Sequence, residues 1–336
     1  MNPLRVAVIG AGHLGRIHAR LLGEVENVDV VAIVDPVEPA RRAIADAAGA
    51  VHAARIEDAP EIDAAVVAAP TALHHRLVKQ LLQAGVHVLV EKPIAENTWQ
   101  ADELLAAAAG TQTVLQVGHS ERFNPAWTVA RQEIESPTWI NAVRCGPYSF
   151  RSTEVGVVLD LMIHDIDLVL DLVQSPPEQI EATGGVVFGP HEDWAQASIR
   201  FADGCWATFV ASRVEVEGRR RMQIRSSQTC ADLDFGAGAA RFVTRRPAAN
   251  HFRPDEVAIA DRADWKERLF SDLLEIDERE PSSWNAILDE QRDFVDAIKR
   301  GEAPRVSGRQ GRDALAVAER IIDQITNGRG GLRRAG

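Results

Sequence analysis

The strongest constraint on the fold is a glycine-spaced turn near the start of the chain. Gly10–Ala11–Gly12–His13–Leu14–Gly15 follows the apolar run Val6–Ala7–Val8–Ile9 and opens a segment with helical patterning. In that order of strand, turn and helix, the glycines permit a tight turn and close backbone approach to a pyrophosphate. The helix N-terminus supplies N–H donors. Asp35 ends the second apolar run, 20 residues after Gly15, where an acid accepts hydrogen bonds from adenosine ribose hydroxyls and repels a 2′-phosphate. Gly10, Gly12, His13, Leu14, Gly15 and Asp35 are therefore the expected dinucleotide contacts. NAD is the expected cofactor and NADP the alternative. Arg41 and Arg42, in the next helical segment, are read as solvated surface charges.

The rest of the first 120 residues repeats this rhythm. Apolar runs at Arg5–Ile9, Asp29–Val34, Ala64–Ala68, Val86–Val90 and Thr113–Val117 alternate with helical segments at Leu14–Leu22, Pro39–Ala48, His74–Ala84 and Thr98–Ala109. Such a pattern predicts a parallel sheet covered on both faces, a doubly wound α/β domain over 1–122. Beyond it the texture shifts to alternating strand-like runs at Trp139–Arg144, Gln179–Phe188, Ala195–Phe201, Cys205–Arg213, Arg221–Ser226 and Cys230–Phe235. They predict a second, α+β domain over 123–327 with a large, mostly antiparallel sheet. Helices are expected near Val157–Val173, Ser283–Lys299 and Gly308–Thr326. A Gly/Arg tail over 328–336 is expected to fray, and residues 245–282 resist assignment.

Composition narrows the function classes. Acidic residues outnumber basic ones, 49 to 37, which argues against a nucleic-acid partner. Cys145, Cys205 and Cys230 are too few and too widely spaced for a disulfide framework or a Cys-rich metal site, so no metal is expected. With no apolar stretch of about 20 residues, no membrane is expected as a partner, and a cytoplasmic location is the expectation.

Two further features carry chemistry. Glu91–Lys92–Pro93 follows the fourth strand at the carboxyl edge of the first sheet, where ligands bind in open α/β folds. A lysine there can hold a substrate hydroxyl and move its proton. A strand-end surface lysine is the competing reading. In the apolar stretch Gly156–Val173, Asp160, His164, Asp167 and Asp171 fall at i, i+4, i+7 and i+11, one helical face. His164 can accept a hydroxyl proton and Asp160 can orient it; a satisfied core His–Asp pair is the structural alternative.

Together these residues resemble the glucose–fructose oxidoreductase/inositol dehydrogenase/MocA family. The resemblance runs through GAGHLG at 10–15, Asp35, AAPTALHH at 68–75, AGVHVLVEKP at 84–93, the Asp160-x-x-x-His164 helix and APRVSGRQGRDAL at 303–315. It implies a Rossmann domain joined to an open-sheet domain that serves substrate binding and oligomerisation. It implies hydride transfer between a nicotinamide and a sugar or cyclitol carbon, with Lys92, Asp160 and His164 catalytic. The cofactor set then extends to Pro70, Thr71, His75, Glu91 and Lys92; Ala69 departs from the Thr or Cys common before the proline.

VGHSERFNPA at 117–126 and EVGVVLDLMIHDIDLVLDLV at 154–173 resemble a bacterial subgroup that oxidises the 3-hydroxyl of UDP-linked N-acetylglucosamine. Those enzymes feed an aminotransferase in lipid A synthesis; a related subgroup takes the corresponding uronate. A UDP-sugar needs cations for its diphosphate and polar groups for its sugar. His119, Arg122, Asn124, Arg151 and Arg213 are the candidate substrate contacts. The resemblance further implies a homodimer or homotetramer. The alternatives are a dehydrogenase of a free sugar or cyclitol, and a non-catalytic NAD-binding regulator. Whether Lys92 or His164 is the general base stays open.

Overall fold

The computed structural model describes residues 2–150, 152–281 and 283–328. Arg151 and the tail from 329 onward, both among the sequence expectations, lie outside the described residues. The chain forms two compact units: Met1–Phe123 with Asn285–Ile322, and Asn124–Trp284 with the residues that begin at Asp323.

In the first unit, strands β1 (Leu4–Ile9), β2 (Val28–Val34), β3 (Val51–Ala53), β4 (Ala64–Val67), β5 (His87–Glu91) and β6 (Leu115–Gly118) form one parallel sheet in the order β3-β2-β1-β4-β5-β6. Helices α1 (His13–Leu22), α2 (Glu38–Ala48), α3 (Thr71–Gln83) and α4 (Thr98–Thr111) alternate with the strands. Every residue of β4 is buried, as expected of a strand covered on both faces. The strand order reverses between β1 and β4, so the loops leaving their carboxyl ends flank the switch point where such folds bind ligands. No apolar run marks β3, an edge strand of three residues, two of them exposed.

The second unit contains an eight-stranded sheet. Its strands are β7 (Trp139–Cys145), β8 (Pro177–Gly185), β9 (Trp194–Phe201), β10 (Trp206–Ser212), β11 (Arg219–Arg225), β12 (Thr229–Asp234), β13 (Ala239–Arg245) and β14 (Leu274–Arg279). They lie in the order β14-β13-β12-β11-β7-β10-β9-β8, antiparallel throughout except for the parallel pair β7 and β10. Alternation sets two faces: in β9, Ala195, Ala197, Ile199 and Phe201 are buried, while Trp194, Gln196 and Arg200 are exposed. Helices α5 (Pro125–Glu133) and α6 (Ile163–Val173) pack on the sheet, and α6 is preceded by one π turn, Val158–Met162. The unassigned stretch supplies α7 (Arg262–Leu273) and β14. The β14 sequence LEIDER is an edge strand without a buried residue, so it carries no apolar alternation to read.

Helices α8 (Ala286–Arg300) and α9 (Gly308–Asn327) correct the expected boundaries. Sequence reasoning put 123–327 in one domain, but 285–322 belong to the first unit. Phe294 of α8 is fully buried in the core that holds Val6, Val8, Leu22, Ile33 and Val66. Leu288 and Val295 close over Leu21 and Val25 of the α1 region. Val117 of β6 donates its backbone N–H to Val306 at 3.0 Å. Helix periodicity gives the apolar face of α8 but not the surface on which that face lands. Among the described residues, no helix is long and apolar enough to cross a membrane.

Candidate active site

In the first unit the glycine turn, the loop after β4 and the end of β5 gather at the carboxyl edge of the sheet. Gly10 has φ +106°, and a Cβ on it would stand 2.5 Å from the Ala68 carbonyl oxygen. A Cβ on Gly15 would collide with the Gly10 carbonyl, so both glycines are required by close approach. Gly12 differs: its missing Cβ faces open space, and Gly12, His13 and Leu14 are exposed. Helix α1 begins there with no side-chain cap and no acid in its first turn, leaving its N–H donors to an anion. A dinucleotide pyrophosphate fits this cradle.

Asp35 stands at the end of β2, but it does more than the sequence suggested. Its Oδ2 accepts from Ala11 N at 2.7 Å and its Oδ1 from Val37 N at 2.7 Å, so it braces the glycine turn. Each carboxylate oxygen keeps a lone pair for a ribose hydroxyl. Arg41, read as a solvated charge, instead folds back so that Nη1 donates to the carbonyls of Asp35 and Pro36, both at 3.2 Å. Arg42 is exposed, as expected.

Lys92 is half-buried directly beyond β5. Pro70 and Thr71 begin α3, with Thr71 half-buried. Two expected cofactor residues are turned elsewhere. His75 lies within α3, where Nε2 pairs with Glu103 of α4 at 2.8 Å; Lys79 joins the same carboxylate at 3.1 Å. Glu91 points inward, its Oε1 2.8 Å from His18 Nε2. Gln291 donates to His18 Nδ1 at 2.9 Å and to the His18 carbonyl at 3.1 Å. An accepting Nδ1 leaves the proton on Nε2, so His18 donates to Glu91. Burial alone would raise the Glu91 pKa. The His18 hydrogen bond, with the charges of Lys92 and His74 nearby, holds it below the usual range.

Other polar groups of this unit were not anticipated. His74 is 1% exposed, each ring nitrogen lies 2.8 Å from a main-chain carbonyl, and a neutral ring donates to one of the two. Glu290 is fully buried, and neither of its carboxyl oxygens has a hydrogen-bond partner among the described residues. Burial, with Glu91 and Asp293 nearby, pushes its pKa well up. Of the expected substrate contacts, His119 is fully buried and Arg122 only 3% exposed.

In the second unit, Asp160 lies in the π turn and His164 one turn later in α6, both half-buried. The expected single α-helical face therefore begins after Asp160, since the π turn alters the spacing; π turns recur at functional sites. Glu192 builds this start: its Oε1 accepts from Val158 N at 3.1 Å and its carbonyl from Val157 N at 3.0 Å. A Cβ on Gly156 would strike the Glu192 carboxylate, which explains that glycine. Asp167 is buried and Asp171 pairs with Arg131 at 3.3 Å. Asp165, off the stripe, forms a buried two-pronged pair with Arg144 of β7, at 3.1 and 2.8 Å.

Two expected sugar-nucleotide contacts have structural roles here. Arg213 is buried, with Nε 2.7 Å from Asp193 Oδ1 and Nη1 3.0 Å from the Val155 carbonyl. It ties the end of β10 to the approach of the π turn, while its buried Nη2 has no hydrogen-bond partner among the described residues. Asn124 caps α5 by accepting from Ala126 N at 3.1 Å and donates to the Phe235 carbonyl at 3.0 Å, which commits its amide to the main chain. Arg151 lies outside the described residues. Among them, no group of three or more His, Cys, Asp or Glu side chains is arranged to hold a metal ion.

Comparison with known proteins gives the same two-part division. Residues 4–119 match the family described as "Oxidoreductase family, NAD-binding Rossmann fold", and 130–230 match the "GFO/IDH/MocA C-terminal domain". A UDP-N-acetylglucosamine 3-dehydrogenase from Acidithiobacillus ferrooxidans is 31% identical, covering 96% of this chain and 97% of its own. A solved structure of that enzyme superposes with TM-score 0.86 over 97% of this chain and 99% of the other, at 28% identity. An inositol 2-dehydrogenase from Rhizobium meliloti is 27% identical over 97% of this chain and 98% of its own.

Proposed function

Because the chain belongs to the GFO/IDH/MocA oxidoreductase family, we propose that it oxidises the 3-hydroxyl of a UDP-linked amino sugar, UDP-N-acetylglucosamine, to the 3-keto form. It is an oxidoreductase acting on CH–OH groups, with a nicotinamide dinucleotide as its cofactor; NAD rather than NADP is the proposal, favoured by Asp35. The observation that carries the substrate is the 31% identity to a UDP-N-acetylglucosamine 3-dehydrogenase along nearly the full length of both chains.

Bound NAD⁺ supplies the hydride acceptor. The Gly10–Gly15 turn holds its pyrophosphate and Asp35 its adenosine ribose. Lys92 holds the reacting hydroxyl and stabilises developing alkoxide charge. His164, oriented by Asp160, or Lys92 itself takes the hydroxyl proton; the pH–rate profiles of the two variants identify which. The product feeds an aminotransferase that installs an amine, as in 3-amino-sugar synthesis for lipid A. A homodimer or homotetramer formed through the open sheet accompanies this reading.

The test is NADH formation across UDP-N-acetylglucosamine, its uronate, free N-acetylglucosamine and myo-inositol, with NADP⁺ in parallel. A coupled aminotransferase draws off an unfavourable keto product. Turnover of UDP-N-acetylglucosamine with NAD⁺ is the expected result. Turnover of the free sugar or cyclitol alone replaces the reading with the alternative that the inositol dehydrogenases represent.

A further inference from the structure

His18 of α1 and Gln291 of α8 are fully buried, and Glu91 closes β5 with 9% of its surface exposed. The Gln291 amide nitrogen lies 3.1 Å from the His18 main-chain carbonyl and 2.9 Å from His18 Nδ1. A carbonyl oxygen only accepts, so the amide group that faces it is the NH2 and not the oxygen. Its two hydrogens then serve two acceptors, and Nδ1 carries no proton. The one N–H of the ring is on Nε2 and points at Glu91 Oε1, 2.8 Å away. A main-chain atom thus sets the direction of the whole chain of bonds.

Strand β6 is shaped to the same carboxylate. Gly118 stands opposite Glu91 in the sheet, and a Cβ on it would lie 3.1 Å from Glu91 Oε2. Three elements are built around one side chain, and the residue after it is Lys92. A buried carboxylate that loses its donor must find another partner. Lys92 is near enough for its charge to act on Glu91.

We propose that His18, with its proton placed by Gln291, is a positioning residue for catalysis: it occupies the Glu91 carboxylate and so leaves the Lys92 ammonium to the reacting hydroxyl. The proposal rests on the reading of Lys92 as the group that holds that hydroxyl. No contact between His18 and substrate is involved.

His18→Leu removes the donor and keeps an apolar body in the site. It is expected to lower kcat about 10- to 100-fold, the loss that a displaced catalytic group typically brings, because Glu91 then draws Lys92 inward. His18→Gln returns an amide N–H near the place of Nε2 and is expected to recover most of that loss. Adding Glu91→Gln to His18→Leu removes the competing charge, so the double variant is expected to turn over faster than His18→Leu alone. A role in packing gives the reverse, since a second change in the buried network adds a further loss. Thermal melting follows folding in each variant. If His18→Leu does not fold, Gln291→Leu, which frees the ring to turn its bare nitrogen toward Glu91, takes its place in the same comparison. Nitrogen NMR of the wild-type protein, with His18 identified by its absence in His18→Gln, is expected to show the proton on Nε2.

The proposal is overturned if the double variant is no faster than the single one, or if His18→Leu with a wild-type melting temperature keeps its kcat. A proton on His18 Nδ1 overturns it as well. Should the wild-type protein oxidise none of the sugars tried, the substrate reading fails. The link to Lys92 is then decided by trace acetylation read by peptide mass spectrometry. Lys92 labelling that falls in His18→Leu and returns in the double variant supports it, and any other pattern overturns it.

Discussion

The two units bury charge in different ways. The first encloses imidazoles and carboxyls: His18 with Glu91, His74 between two carbonyls, and Glu290 without a partner among the described residues. The second encloses Arg144 with Asp165 and Arg213 with Asp193. Arginine stays charged at any pH of interest. Burial alone would raise the Asp193 pKa, but the N–H groups of Phe188 and Val187, together with Arg213, hold it below the usual carboxylate range. One unit thus encloses imidazoles and carboxyls, and the other arginine–carboxylate pairs. His18, Glu91 and His74 lie around the strand end that carries Lys92.

The largest expected effect is on rate. Lys92→Ala is expected to lower kcat by ~10²–10⁴ at saturating substrate, the usual loss for a positioned acid–base group, with NADH affinity little changed. Steady-state kinetics with NADH fluorescence checks this, and near-normal turnover would remove Lys92 from the chemistry. On the second unit, Asp193→Ala leaves Arg213 charged and buried and is expected to destabilise by about 3–5 kcal/mol in urea unfolding. A small loss would mean that the pair is not the fixed element described above.

Glu290→Gln sharpens the contrast through pH. A carboxyl raised above its ordinary value of 4.5 contributes stability that is full below that pH and is lost as pH rises through the folded pKa. The variant is therefore expected to melt higher than wild type at pH 8 and no higher at pH 4.5, by calorimetry at the two pH values. His74 has the opposite sign. Burial lowers its pKa from 6.5, against the pull of the Pro93 and Ala69 carbonyls and the Glu91 charge. Its stabilising contribution is full above about pH 6.5 and is lost as pH falls through the folded pKa. His74→Gln is expected to flatten the fall in melting temperature between pH 7 and pH 5. The smallest effect belongs to the exposed face of the second sheet, where Arg241 pairs with Glu278 at 2.6 Å. Arg241→Ala is expected to change stability by no more than about 1 kcal/mol, because solvent screens such pairs.

Much of the first unit was legible because its signals are local. A glycine turn, an acid at a strand end and continuous apolar strands each announce themselves within a few residues. His74 was overlooked for the opposite reason: its partners are main-chain carbonyls of Ala69 and Pro93, which no side-chain pattern encodes. His18, Glu91 and Gln291 meet through a separation of 273 residues between His18 and Gln291. One arginine misled by type. Arg213 has the chemistry of an anion ligand, yet its use was decided by Asp193, a residue that sequence reading had no reason to place beside it. Asn124 likewise offers an amide suited to a sugar, while its position before Pro125 makes it a helix cap.

The return of residues 285–322 to the first unit has a consequence for synthesis. When the nucleotide-binding strands have left the ribosome, the helix that supplies Phe294, Leu288 and Val295 to their core is still more than 150 residues away from being made. The first domain to appear is completed only after residues 124–284 of the second have been made. Until then, His18 lacks Gln291 and the apolar surface of α1 stays uncovered. A fragment ending at Phe123 is expected to aggregate rather than act as a smaller enzyme, and residues 124–284 can be regarded as an insertion carried within the first unit.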